Sequence, residues 1–119
     1  MNRFLFALAK TWLGGVLLHW IMSYFSFIIP GEKLIENNSL VAFHHPAPSY
    51  PLHILIVPKT GYRSLADLPS ADLAFETALF EAVQDLVARF KLIDSGYRLV
   101  ANGGNTQEVD HLHFHLIAD

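Results

Sequence analysis

The chain of 119 residues contains no cysteine. That absence excludes disulfides, thiolate metal sites and a cysteine nucleophile, and leaves the redox compartment unread. Nor is there any run of basic residues. Eight Lys and Arg stand against eleven Asp and Glu, a formal net charge of −3, which argues against a stripe that would bind nucleic acid. The sequence shows no internal repeat and no low-complexity tract, and its length suits one domain with a single core. Charge itself is scarce: 16% of residues are charged while 52% are hydrophobic, a high ratio for a small globular domain.

The hydrophobic excess is concentrated at the front. From Phe4 to Ile29 the chain is almost wholly apolar, and Trp12 to Ile29 holds 18 residues without Asp, Glu, Lys or Arg. As a helix that run would span roughly 27 Å, close to the hydrocarbon thickness of a bilayer. Three readings stand side by side. Residues 4–29 are a retained membrane anchor, or a helix lying in the interface or docked on a partner, since Lys10 interrupts the run. A cleaved signal peptide is the third, against which stands the lack of a small-x-small site before Pro30. Trp12 and Trp20 suit interfacial positions, Gly14-Gly15 allows close helix approach, and His19 would want a partner within the membrane. Arg3 and Lys10 precede the run and only Lys33 follows it closely, favouring an inside amino terminus. The expected division is a hydrophobic anchor helix over 1–28 and a folded domain over 29–119, held at a bacterial or organellar inner membrane.

Beyond Pro30-Gly31 the pattern changes to short strands. Lys33–Glu36 and Leu40–His44 read as strands joined by an Asn37-Asn38-Ser39 turn. Three prolines between His45 and Pro51 keep that stretch out of a sheet. His53–Val57 is nearly all β-branched or aliphatic, and is predicted to be a central strand stopped by Pro58. Ser70 is the expected N-cap of a long helix carrying Leu73, Leu79, Phe80, Val83, Leu86, Val87 and Phe90 at three-and-four spacing, running to about Leu92. Asp94-Ser95-Gly96 breaks it; Tyr97–Ala101 and Val109–Ile117 are further strands around a glycine-rich turn. The layout is α+β: an antiparallel sheet with one long helix across a face.

The last strand carries the chemistry. His111-Leu112-His113-Phe114-His115 places three imidazoles on one side of an extended chain and Leu112, Phe114 and Leu116 on the other. The apolar side belongs on a core, and the histidine side is expected to face a cleft or water. Three buried imidazoles would each demand a partner, which makes a purely structural role the less economical reading.

The motif His111-Leu-His113-Phe-His115-Leu-Ile resembles the His-φ-His-φ-His-φ-φ signature of the histidine triad (HIT) superfamily. Ile29-Pro30 with Lys33 and Glu36 resembles its opening strand. Phe43, Pro51, His53 and Val57-Pro58-Lys59 are similar to its F…P-x-H-x-L-x-x-P-K segment, and Tyr97–Asn102 to its Y-R-x-V-x-N strand. The resemblance implies a five-stranded antiparallel sheet with one long helix, often paired into a homodimer. It implies binding of purine nucleotides or nucleoside phosphoramidates, with attack on the α-phosphate. By that resemblance His113 is the nucleophile that forms a nucleotidyl-imidazole intermediate, His111 and His115 flank it, and His53 completes the cluster. Asn102 and Gln107 fall where the family contacts substrate. Neutral imidazole is a competent nucleophile, a neighbouring imidazolium can protonate a leaving group, and no metal or cofactor is needed.

Two substrate-contacting positions depart from the family pattern. His45 stands where an acidic residue usually binds ribose hydroxyls, and Gln107-Glu108 stands where Gln-Ser or Gln-Thr is usual. Ser23-Tyr24-Phe25-Ser26 replaces the Cys-x-x-Cys zinc pair of many members. The leading expectation is a membrane-anchored nucleotide hydrolase or transferase. The alternative, favoured by His45 and Glu108, is a catalytically weakened HIT domain serving as accessory subunit of a larger membrane complex. A zinc site built on the three histidines is a third reading. One straight strand spreads their Cα atoms by about 13 Å, so His53 would have to help.

Overall fold

The computed structural model describes residues 32–119, and the helix expected over residues 4–29 lies outside them. Among the described residues no helix is long and apolar enough to cross a membrane. Strands β1 (Lys33–Glu36), β2 (Leu40–His44), β3 (Leu52–Pro58), β4 (Arg98–Val100) and β5 (Phe114–Ala118) form one sheet in the order β1-β2-β3-β5-β4. Each neighbouring pair is antiparallel. The expected five-stranded α+β architecture is present, with β3 in the middle. Its run from His53 to Pro58 is buried without a break, because both faces of a central strand are covered and no alternation is needed.

One face packs against α1 (Leu73–Arg89). Leu40, Ala42, Ile54, Ile56, Phe114, Leu116 and Ala118 from the sheet meet Phe75, Leu79, Ala82, Leu86 and Val87 from the helix. The buried helix row is shifted from the predicted stripe, gaining Phe75 and Ala82 and losing Leu73 and Phe80. Phe75, Leu79, Ala82 and Leu86 follow one i, i+4, i+7, i+11 line toward the sheet, whereas Leu73 and Phe80 are 66% and 62% exposed on its flank. The opposite sheet face holds a second buried cluster of Val41, Phe43, Leu55 and Val57.

The helix begins two residues later than predicted. Ser70 lies in a turn closed by Asp72 N–H to Pro69 O at 3.2 Å, and Asp72 is the N-cap, its Oδ1 accepting from Phe75 N–H at 3.1 Å. A carboxylate there satisfies an orphan amide and faces the positive helix end. The helix also stops earlier than Leu92. Lys91 turns left-handed at φ 56°, and a single turn α2 (Leu92–Ser95) follows before Gly96 at φ 96°. Leu92 returns to the core at 5% exposure, so one strained residue at Lys91 allows an apolar side chain to be buried.

Strand β5 is shorter than Val109–Ile117. Pairing with β3 begins at Ile56↔Phe114, so His111 and His113 precede the ladder. Strand β4 likewise loses one residue at each end of the predicted Tyr97–Ala101. At the surface, Glu36 receives Lys59 at 3.0 Å and Lys33 at 3.1 Å, which hold its carboxyl below the usual range. The exposed Asp85–Arg89 pair spans 3.5 Å, as its i,i+4 spacing predicts.

Candidate active site

The histidines converge because of strand register. Backbone pairing puts Leu55 opposite His115, and His115 opposite Val100. His53 lies two residues before Leu55, so its ring emerges on the same sheet face, diagonally beside His115. The β2–β3 ladder extends one residue beyond His44↔Ile54 through His45 N–H to His53 O at 2.8 Å. His45 thereby becomes a direct cross-strand neighbour of His53. Ring centroids are 4.4 Å apart for His45–His53, 5.0 Å for His53–His115 and 5.0 Å for His113–His115. Tyr50 sets its edge against His53 at 5.6 Å, with the Arg98 guanidinium over its ring.

Backbone partners assign the ring protons. His113 Nδ1 lies 2.7 Å from His111 O. A carbonyl only accepts, so Nδ1 carries the hydrogen and Nε2 keeps a free lone pair. Ser49 N–H donates to His53 Nδ1 at 3.1 Å, which puts the His53 proton on Nε2. That Nε2–H donates to His115 Nδ1 at 2.8 Å, leaving the His115 hydrogen on Nε2. His45 Nδ1 accepts from Ala47 N–H at 2.9 Å and therefore also bears its hydrogen on Nε2. Four rings have four assigned tautomers, each traceable to a main-chain group.

Burial keeps the cluster neutral. It lowers the pKa of His115 to about 4, helped by His113, His53 and His45. It lowers His45 to about 4 as well, helped by His53 and His113. Burial also lowers His53. For His113 burial again prevails, against the raising effects of the His111 carbonyl and of Glu108. At neutral pH the site is a set of uncharged imidazoles, the form in which a ring can attack. Between pH about 4 and the ordinary 6.5, His45 and His115 bind fewer protons folded than unfolded. The fold therefore loses stability as pH falls through that window. Each ring contributes at most about 1.4 kcal/mol per pH unit, less for its residual solvent access. The urea midpoint is expected to fall from pH 7 to pH 5, and His45→Phe to flatten that dependence; a pH-independent midpoint would contradict it.

His111 does not face a cleft: it is fully buried, with Nε2 3.3 Å from Pro58 O. The alternation argument fails there because the chain has not yet entered β5. Asn102 is exposed past the end of β4. The Gln107 amide is engaged with the protein, its Nε2 donating to Arg63 O at 2.6 Å and Val109 O at 2.8 Å. Glu108 is exposed and does not plug the cluster. His45, expected only as a substrate contact, stands within the imidazole group; equal parity of His45 and His53 across the hairpin was the available signal. Among the described residues no group of three or more His, Asp or Glu is arranged to hold a metal ion. His53 Nε2 and His115 Nδ1 aim at each other, which shares a proton and not an ion. A hollow of about 170 Å³ lined by Ile35, Asn37, Ala78, Glu81, Ala82 and Asp85 lies between β1 and α1, with no histidine in its wall.

Comparison with known proteins places the chain among HIT proteins. The family model described as HIT domain matches residues 27–119. A HIT-like protein of Chlamydia pneumoniae is 37% identical over 102 residues, covering 81% of this chain and 92% of that protein. Among solved structures, a HIT family hydrolase from Legionella pneumophila superposes with a TM-score of 0.72 at 29% identity, over 82% of this chain and 88% of that one. A histidine triad nucleotide-binding protein from Candida albicans gives 0.69 at 30% identity, over 84% and 71%.

Proposed function

This chain belongs to the HIT domain family, and from that membership we propose that it binds nucleotides and hydrolyses or transfers at their α-phosphate. The substrates proposed are purine nucleotides and nucleoside phosphoramidates. The observation that carries the reading is the hydrogen bond from His113 Nδ1 to His111 O, which leaves Nε2 as the one lone pair of that ring free to attack.

The steps balance without a cofactor. His113 Nε2 forms a bond to the α-phosphorus as the bond from phosphorus to the leaving nitrogen or oxygen breaks. The anionic phosphate raises the proton affinity of the imidazoles around it, so that the His53–His115 pair holds one proton and delivers it to the leaving group. Water, giving up a proton to the same pair, then adds to phosphorus. The N–P bond breaks, releasing nucleoside monophosphate and free imidazole. An acceptor alcohol or amine in place of water turns hydrolysis into transfer.

Both departures from the family pattern leave the imidazole cluster intact. Glu108 is exposed and His45 is a neutral member of the cluster. Incubation with a nucleoside phosphoramidate labelled at the α-phosphorus, followed by rapid quench at alkaline pH, is expected to trap an acid-labile nucleotidyl adduct in the first turnover. Absence of adduct together with absence of nucleotide affinity would overturn the reading. The apolar run over residues 4–29 supports membrane attachment as part of the same proposal. It predicts retention of the full chain in membranes after carbonate washing.

A further inference from the structure

The nucleophile hangs on a stretch of chain that has no strand beside it. Residues 111–113 precede the β3–β5 ladder, yet His113 depends on the position of the His111 carbonyl. A peptide unit is planar and rigid, so the His111 C=O and the Leu112 N–H move as one body. Its C=O accepts from His113 Nδ1 at 2.7 Å, and its N–H donates to Tyr62 O at 2.7 Å. Whatever holds Tyr62 therefore holds the bond that assigns the His113 tautomer. An amide whose N–H is already bonded is also a better acceptor at its oxygen.

Tyr62 is held in turn. Its hydroxyl donates to Asp72 Oδ2, while Asp72 Oδ1 caps α1 at Phe75 N–H. Both carboxylate oxygens are occupied, one by the helix and one by the tyrosine. The Tyr62 hydroxyl keeps the Asp72 carboxyl below its usual range, and Asp72 raises the phenol, so donor and acceptor stay in their proper states at neutral pH. On either side of Tyr62 the same turn makes two more attachments. Pro58 O receives His111 Nε2, and Arg63 O receives Gln107 Nε2 at 2.6 Å.

Resting on the reading of His113 as nucleophile, we propose that Tyr62, anchored on Asp72, is a positioning residue that sets the His113 tautomer through the His111–Leu112 peptide unit. The turn from Pro58 to Arg63 then does for the nucleophile what a neighbouring strand does for His115. It also reassigns Gln107 from substrate contact to brace.

The test uses Tyr62→Phe, which keeps the ring and its main-chain carbonyl but removes the hydroxyl. Asp72→Ser serves beside it, because Ser still caps a helix while its short side chain leaves the Tyr62 hydroxyl without its carboxylate. Nitrogen-15 NMR of the full chain reads the His113 tautomer directly, and rapid quench reads adduct formation. Both variants are expected to lose the Nδ1–H preference and to form adduct at least about tenfold more slowly, with unchanged affinity for nucleoside monophosphate. An unaltered tautomer in the folded variants overturns the proposal whatever the rate. So does an unfolded state in both, which would make the contact a folding determinant alone. Should the unaltered protein form no adduct, the nucleophile reading fails, and the tautomer measurement still decides whether the brace exists.

Discussion

His113→Asn is expected to abolish the nucleotidyl adduct and to lower turnover by at least roughly 10³-fold, the scale seen when a covalent nucleophile is removed. Asn is the informative replacement because its amide can still donate to the His111 carbonyl that His113 Nδ1 now uses at 2.7 Å. Local structure is thus retained while the attacking lone pair disappears. His115, His53 and His45 remain, each with its tautomer assigned by His53, Ser49 and Ala47 respectively. Binding of nucleoside monophosphate should consequently change far less than turnover, which separates loss of chemistry from loss of the site. Rapid quench and equilibrium dialysis measure the two. Adduct formation in the variant at the original rate would move the nucleophile to another ring.

Leu116→Ala is expected to cost about 2–5 kcal/mol of stability, a large share of the roughly 5–15 kcal/mol that holds a domain of this kind together. Leu116 is fully buried, flanked in the sheet by Ile54 and Leu99 and packed in the cluster that α1 covers. It occupies the side of β5 opposite His115, so the variant removes no polar group of the site. A central sheet position cannot collapse to refill the space, because strands on both sides fix the backbone. Urea unfolding followed by circular dichroism should show a lower midpoint at unchanged slope. A loss below about 1 kcal/mol would mean that this face is loosely packed. His113→Asn tests the chemistry and Leu116→Ala the platform beneath it.

Much of this was legible from local pattern. The unbroken aliphatic run at His53–Val57 marked the central strand, and Leu112, Phe114 and Leu116 marked the buried side of the triad segment. The helix was legible in its existence but not in phase or ends. Leu73 and Phe80 belong to a three-and-four pattern as much as Phe75 does, and only contact with the sheet selects the row that is buried. Ser70 and Asp72 are both capping residues by type. What favours Asp72 is Tyr62, whose hydroxyl reaches it from another turn. Lys91 carries no mark of a left-handed residue; the burial of Leu92 imposes it.

By itself the sequence determined the fold class, the hydrophobic character of the strands and the apolar side of the triad segment, since these rest on periods of two and of three to four residues within single elements. Only the tertiary structure decided that His45 joins His53, that His111 is fully buried with Nε2 against Pro58 O, and that the Gln107 amide bonds to Arg63 O and Val109 O. Those outcomes depend on hydrogen bonds between segments remote in the chain, such as Tyr62 to Leu112. No local period encodes such a bond. It exists because closing the sheet brings one peptide unit against another and leaves its polar groups no better partner.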